Sequence, residues 1–292
     1  MSFAGRALYL LILVCFTASV SARDILVAVP ATSSPLITEF AASLRAHLPD
    51  EQISVSDAPA PEATNSDLII TLGSERLDWR LQAPLQTPTI ALYLNSHALP
   101  DSPLPNYLRV LLANPKPTRQ LQLAKRLLPR LRTVGLLYSP AANGLEQEWT
   151  AAVETSGLQA RSETATRPEH LTRALLQVLE RSDVLMGIDD PAIYNADNLK
   201  TILLTSYSRN KVLIGPSAPF IEAGSLSTTY STPQDMARSV AWLLKGREPD
   251  DPIAYPAYFS VLSNAQVARS LGLPVPDDAK LARELAELEQ AP

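Results

Sequence analysis

Short runs of β-branched and leucine residues alternate along this chain with longer stretches of helical spacing, and this alternation leaves few folds open to it. Asp24–Pro30, Ile53–Ser56, Leu68–Leu72, Thr89–Leu94 and Tyr107–Leu112 read as strands. They are apolar along their length instead of alternating with polar residues, which implies burial on both faces. Between the first two lies Pro35–Leu48, in which Leu36, Phe40, Leu44 and Leu48 share one helical face behind Ser34, the expected N-cap. A strand, a helix crossing back and a second strand make the repeating unit of a largely parallel sheet.

After Pro115-Lys116-Pro117 a second series begins. The pattern predicts helix Thr118–Leu128, strand Thr133–Tyr138, helix Leu145–Ser156, a short strand near Leu158–Ser162, helix Pro168–Arg181 and strand Val184–Ile188. Helix Ala196–Asn210, strand Val212–Ile214 and strand Ser225–Tyr230 come next. Thr232-Pro233-Gln234-Asp235 then combines an N-cap, an N1 proline and an acid at N3, opening a helix whose stripe is Met236, Val240, Leu243 and Leu244. Gly246 is placed to stop it in a left-handed conformation. A last strand around Tyr255–Leu262, helix Ala265–Leu271 and a peripheral charged helix, Lys280–Glu289, complete the expected order. The fold class is α/β, with two Rossmann-like lobes of parallel sheet.

Composition narrows what such a chain does. Arg6 precedes an apolar run from Ala7 to Phe16, and small residues lead on to Val20-Ser21-Ala22. This reads as a secretory signal peptide over residues 1–22 with cleavage after Ala22 and a periplasmic product. The lone Cys15 comes after Leu13-Val14, not the small pair of a lipobox, so a lipid anchor is not expected. Without Cys15 and Arg6 the chain has no thiolate for a disulfide or zinc site, and 24 basic residues stand against 30 acidic ones. Nucleic acid is therefore not an expected partner.

From Thr133 to Pro276 the chain resembles the substrate-binding components of ABC transporters, in particular the type I periplasmic binding proteins that include tryptophan and tyrosine importers. The resemblance rests on Thr133-Val134-Gly135-Leu136-Leu137-Tyr138-Ser139-Pro140, on Asp183-Val184-Leu185-Met186-Gly187-Ile188-Asp189-Asp190, and on Gly224–Tyr230 with Thr232–Leu244 and Lys245-Gly246. It closes on Asn264, Ala265, Ala268, Leu271-Gly272-Leu273 and Pro276. The first half matches less closely, with Asn95-Ser96-His97 in place of the family's "T-D-P" and no "N-x-T-G" near Leu112. The resemblance implies a hinge crossed three times by the chain. Lobe 1 would take residues 24–114 plus 232–249, and lobe 2 residues 115–231 plus 250–292. It also implies a small organic ligand such as an amino acid in an interlobe cleft, an ABC permease at the inner membrane as partner, a monomer, and no cofactor or metal. A periplasmic sensor or adaptor of the same fold, without a transport role, is the alternative.

In an open parallel sheet the loops leaving the carboxyl ends of the strands gather along one edge, and two such edges facing each other make a cleft. The loops here supply Ser33, Gly73, Ser74, Ser96, Tyr138, Ser139, Asn143, Asp189, Asp190, Tyr194, Ser217 and Phe220 as candidate ligand-binding residues. A carboxylate at a strand end captures an ammonium group, which points to Asp189 and Asp190; alternatively, Asp190 caps Pro191–Tyr194. Tyr194 and Phe220 either sandwich an apolar moiety or pack locally, and Tyr138 is equally open. Gly73-Ser74 is a ligand loop or a plain turn, and Ser139 and Asn143 are ligand groups or a helix cap. No G-x-S-x-G, G-x-G-x-x-G or Walker pattern occurs, and His47, His97 and His170 have no zinc-ligand spacing. Ser96 beside His97 is the one pair that invites a hydrolase, and no catalytic residue is assigned.

Overall fold

The computed structural model describes residues 22–32, 34–63, 65–100, 102–247 and 251–290. Residues 1–21 of the expected signal segment, and Ser33, lie outside the described residues. The first series folds as β1 (Asp24–Ala28), α1 (Pro35–His47), β2 (Gln52–Ser56), β3 (Leu68–Leu72), α2 (Ser74–Gln82), β4 (Thr89–Leu94) and β5 (Leu108–Leu112). The second is α3 (Pro117–Leu127), β6 (Thr133–Tyr138), α4 (Asn143–Thr155), β7 (Gln159–Thr164), α5 (Leu171–Glu180), β8 (Val184–Met186), α6 (Ala196–Ser208), β9 (Val212–Ile214), α7 (Ala218–Ala223) and β10 (Ser227–Tyr230). Then come α8 (Pro233–Leu243), β11 (Ile253–Ala254), β12 (Ser260–Ser263), α9 (Ala265–Ser270) and α10 (Asp278–Gln290).

The two sheets are wound alike. The strand order is β2-β1-β3-β4-β5-β11 in one and β7-β6-β8-β9-β10-β12 in the other. Within the sheets all pairings are parallel except β10 with β12. In each the order reverses beside the first strand, β1 with β3 and β6 with β8, and the crevice outside the carboxyl ends at such a reversal is where open sheets hold ligands. The central strands β3, β8 and β9 are buried at every residue, as their unbroken apolar runs require. The edge strands β2 and β7 are largely exposed or half-buried, having a neighbour on one side only.

Between the sheets the chain crosses where the sequence changes register. Helix α8 comes after β10 of the second sheet, yet its Met236, Ala237, Val240, Ala241 and Leu243 pack with Phe40 and Leu44 of α1 in the first core. Each large apolar side chain so buried is worth about 1.5–3 kcal/mol. The expected capping box holds it in place: Asp235 N donates to Thr232 Oγ1 at 3.0 Å and Thr232 N to Asp235 Oδ2 at 3.1 Å. Gly246 ends it at φ +77°, as predicted. Ser34 occupies the N-cap of α1 but makes no side-chain cap bond, contrary to expectation.

Two expectations for the C-terminal part need correction. The stretch around Tyr255–Leu262 is not one strand: β11 joins the first sheet beside β5, and β12 joins the second. The last crossing thus falls between Ala254 and Ser260, not at 250. Nor is the final helix loose at the periphery, because Leu281 and Leu285 are buried with Leu123, Phe259 and Val261. The buried Arg119 also clamps it, donating from Nε and Nη2 to the two carboxylate oxygens of Glu289 at 2.8 Å each.

Candidate functional site

A cavity of 520 Å³ lies between the two sheets. From the first half of the chain Ser96, His97 and Leu99 line it. From the second it is lined by Ser139, Ala141, Ala142, Gly144, Leu145, Glu148, Asp189, Asp190, Pro191 and Ala192. A larger groove of 770 Å³ is built from second-lobe residues around 126–131 and 273–284, at the amino-terminal side of β6 and β8. Only the former is walled by both lobes and sits at carboxyl ends of strands.

Ser139 lies just past β6, and Asp189 and Asp190 just past β8, so the second wall is the strand-order reversal of that sheet. Gly187 makes the approach possible. A Cβ there would stand 2.4 Å from Pro216 Cδ and 2.7 Å from its nitrogen, so only glycine lets the end of β8 lie against the turn after β9. Asp190 is 3% exposed; its Oδ2 accepts from Ser139 N at 2.6 Å and its Oδ1 from Ala192 N at 3.1 Å. This is the capping role, and it fixes both loops of the wall.

The first wall comes from a bulge. Tyr93 adopts φ +57° where the register of β4 with β5 shifts between Leu92 and Leu94. A left-handed tyrosine is an uncommon conformation, and such bulges re-aim the residues beyond them. Immediately downstream is a 3₁₀ turn, Ser96–Ala98, anchored where Ser96 N donates to Asn114 Oδ1 at 3.0 Å.

Across the gap Ser96 Oγ donates to Asp189 Oδ2 at 3.1 Å, and His97 Nδ1 lies 3.0 Å from the same oxygen. Burial pushes the Asp189 carboxyl up, and His97 and Ser96 offset this only in part. A second bridge joins Tyr255, which packs on a first-lobe core cluster, to α4: its hydroxyl donates to Glu148 Oε1 at 2.6 Å. Burial, then the neighbouring Glu148 charge, raise the Tyr255 phenol far above its ordinary range. Both bridges therefore run from first-lobe donors to second-lobe carboxylates.

Of the residues expected from sequence, Ser96, Ser139, Asp189 and Asp190 meet at this cavity. Asn143 begins α4 between the lining residues Ala142 and Gly144, and its side chain lies outside the described residues. Gly73 and Ser74 open α2 with φ +81° at the glycine, and neither lines the cavity, nor does the half-buried Ser217. The aromatic candidates are in the core, contrary to a role as a ligand sandwich. Tyr138 is 1% exposed, and Tyr194 and Phe220 meet edge to face at 6.4 Å with the Tyr194 hydroxyl donating to Met186 O. Ser96 and His97 both address Asp189, and among the described hydrogen bonds none links them to each other as a nucleophile and its base.

Glu148, Tyr255 and Asn114 carry no mark in the sequence that points to the cavity. Glu148 sits on a helix among other acids, and Tyr255 in a stretch with the pattern of a strand. Among the described residues no group of three or more His, Cys, Asp or Glu is arranged to hold a metal ion. No described helix is long and apolar enough to cross a membrane.

No protein-family model and no curated protein matches the sequence. Solved structures do match. A ligand-free, open substrate-binding protein with adhesive properties from Clostridium difficile superposes with TM-score 0.65 at 14% identity, over 88% of this chain and 97% of that one. An ABC domain in complex with L-Trp from Streptococcus pneumoniae gives TM-score 0.52 at 18% identity, over 88% and 97%. A conserved domain protein from Vibrio cholerae gives 0.52 at 17%, over 90% and 98%. With two like-wound sheets, three crossings and a cavity between facing strand ends, this chain has the two-lobed α/β fold of type I periplasmic binding proteins.

Proposed function

We propose that this chain is the exported solute-binding component of an ABC importer, capturing a small organic molecule between its lobes and delivering it to a membrane permease. The observation that carries this reading is the 520 Å³ cavity, walled by both lobes at carboxyl ends of their strands. Its size suits a small ligand. A molecule that touches both walls binds the closed arrangement better than the open one and shifts the equilibrium by that difference. The signal segment read up to Ala22 favours a periplasmic product, in the compartment where such capture takes place.

The test is a thermal-shift screen of the chain from Arg23 onward against amino acids, amines, nucleosides, sugars and oxyanions. A ligand at 100 times its Kd stabilises by about 2.7 kcal/mol. No shift from any class at millimolar concentration overturns the reading. A sensor or adaptor role is favoured by one observation, the direct bridges from Ser96, His97 and Tyr255 to the opposite lobe, which join the lobes through the protein's own side chains. Co-purification with a permease, or with a receptor instead, separates the two.

A further inference from the structure

We infer that the guest of this cleft is a small cation carrying two separated nitrogen donors, a diamine or guanidino-amine and not an α-amino acid, held between Asp189 and Glu148. The inference rests on the proposed binding role and names the ligand class for that same cavity.

The charge on the walls is one-sided. Asp189, Asp190 and Glu148 line the cavity, His97 is its single basic side chain, and among the described residues of the lining none is lysine or arginine. An α-carboxylate entering here meets three carboxylates with no guanidinium or ammonium group to receive it. The start of α4, at Ala142, Gly144 and Leu145, also faces the cavity and offers about half a positive charge. Glu148, on the next turn of the same helix, carries a full negative charge and outweighs it.

The bridges show what the two carboxylates accept. Asp189 is met by a hydroxyl and an imidazole of the opposing lobe, and Glu148 by a phenol. Each is a donor offered by the first lobe at a point where a ligand's N–H group would serve as well. None of these donors brings a fixed positive charge: the serine and tyrosine bonds are charge-assisted from the carboxylate side alone, and the His97 side chain is 37% exposed. The Asp189 side chain is 11% exposed, and burial raises its carboxyl despite these partners, so a full positive charge offsets the loss of water better than they do. Asp190 is already committed to two backbone N–H groups and contributes field, not a contact. Two acceptors at separate points of one cavity select for two donors on one molecule. An ammonium or guanidinium group adds a positive charge on the donor side of such a bond, which neither hydroxyl supplies.

Calorimetric titration of the chain from Arg23 onward with 1,4-diaminobutane, its three- to six-carbon homologues, agmatine, 1-aminobutane, L-tryptophan, L-arginine and L-glutamate tests this. Expected are binding of at least one diamine or agmatine, at least about 10-fold weaker binding of the monoamine, and no binding of glutamate. Glu148→Gln and Asp189→Asn are each expected to weaken the diamine about 10-fold or more while keeping the fold, checked by circular dichroism. The monoamine is expected to respond to one of the two substitutions only. Binding of tryptophan, a sugar or another non-cationic ligand with no response to any diamine or agmatine overturns the ligand class and leaves the binding role standing. Diamine binding that both variants retain unchanged overturns the assignment of these carboxylates. If no compound of this set or of the wider screen binds, both readings fall.

Discussion

The two lobes meet their shared cavity with different materials. The second brings carboxylates on a rigid edge: Asp189 and Asp190 extend from a fully buried strand, Gly187 seats that strand against Pro216, and Asp190 ties two loops together through backbone amides. The first brings donors on lighter supports, a 3₁₀ turn behind a bulge at Tyr93 and a tyrosine beside the two-residue strand β11. One wall is preorganised by the core of its own sheet, whereas the other is positioned by local turns and by the crossings of the chain. In the proposed binding role the acceptors are the fixed part of the site and the donors the part that moves with any rearrangement of the lobes.

The difference can be broken most forcefully at Asp190. Replacing it by Ala leaves Ser139 N and Ala192 N without their acceptor in a buried setting, and a loss of about 3 kcal/mol is expected; chemical denaturation measures it, and a loss below about 1 kcal/mol removes the rigid wall. Gly187→Ala is next. Neither a proline ring nor backbone yields easily to a Cβ at 2.4 Å, so about 2 kcal/mol should be lost, together with displacement of Asp189. Melting curves and ligand titration on the same variant separate the two effects.

Glu289→Gln asks whether the rigidity of the second lobe reaches the hinge. Arg119 donates to Glu289 and also, at 3.1 Å, to Pro256 O in the last crossing. Burial pushes the Glu289 carboxyl up, but Arg119 and Lys116 outweigh it and hold it below the usual carboxylate range. A depressed folded-state value means stability that is present above the unfolded value of about 4.3 and is lost as pH falls through the folded one. The variant should therefore be about 1–2 kcal/mol less stable at pH 7 and converge with the parent in acid; a difference independent of pH would rule out the ion pair as its source. The smallest effect belongs to the first wall. His97→Ala should change stability by less than about 1 kcal/mol, since its side chain is 37% exposed and a contact open to solvent on that side contributes little, and a loss as large as that of Asp190→Ala would erase the contrast between the lobes.

Much of the frame is legible in the sequence. Strands β3, β4, β6 and β9 have the expected bounds because unbroken apolar runs mark buried central strands, and α8 is legible from its capping chemistry at Thr232 and Asp235. Asp189 and Ser139 are legible as cavity residues because strand-end loops in a parallel sheet have one place to go. The bulge at Tyr93 is not, because φ +57° at a tyrosine leaves no mark on composition. The aromatic residues mislead for a related reason: Tyr138, Tyr194 and Phe220 sit at loop borders in the sequence, and only packing shows which way a ring turns.

Sequence alone determined most of the element order, though not helices α2 and α7 or the division of Tyr255–Leu262 between β11 and β12, together with the two series of parallel strands and the expectation of a cleft between them, because periodicity and capping are local properties of the chain. Tertiary structure decided what the cleft contains. It assigned adjacent Asp189 and Asp190 to opposite duties, brought Glu148 and Tyr255 together from positions 107 apart, and buried Arg76 and Arg80 in cages of carbonyl groups from Asp57, Ala58, Pro59, Leu85 and Thr87. Whether a charged group is a ligand contact, a cap or a buried clamp depends on the partners that the rest of the chain delivers to it, and those partners are distant in sequence.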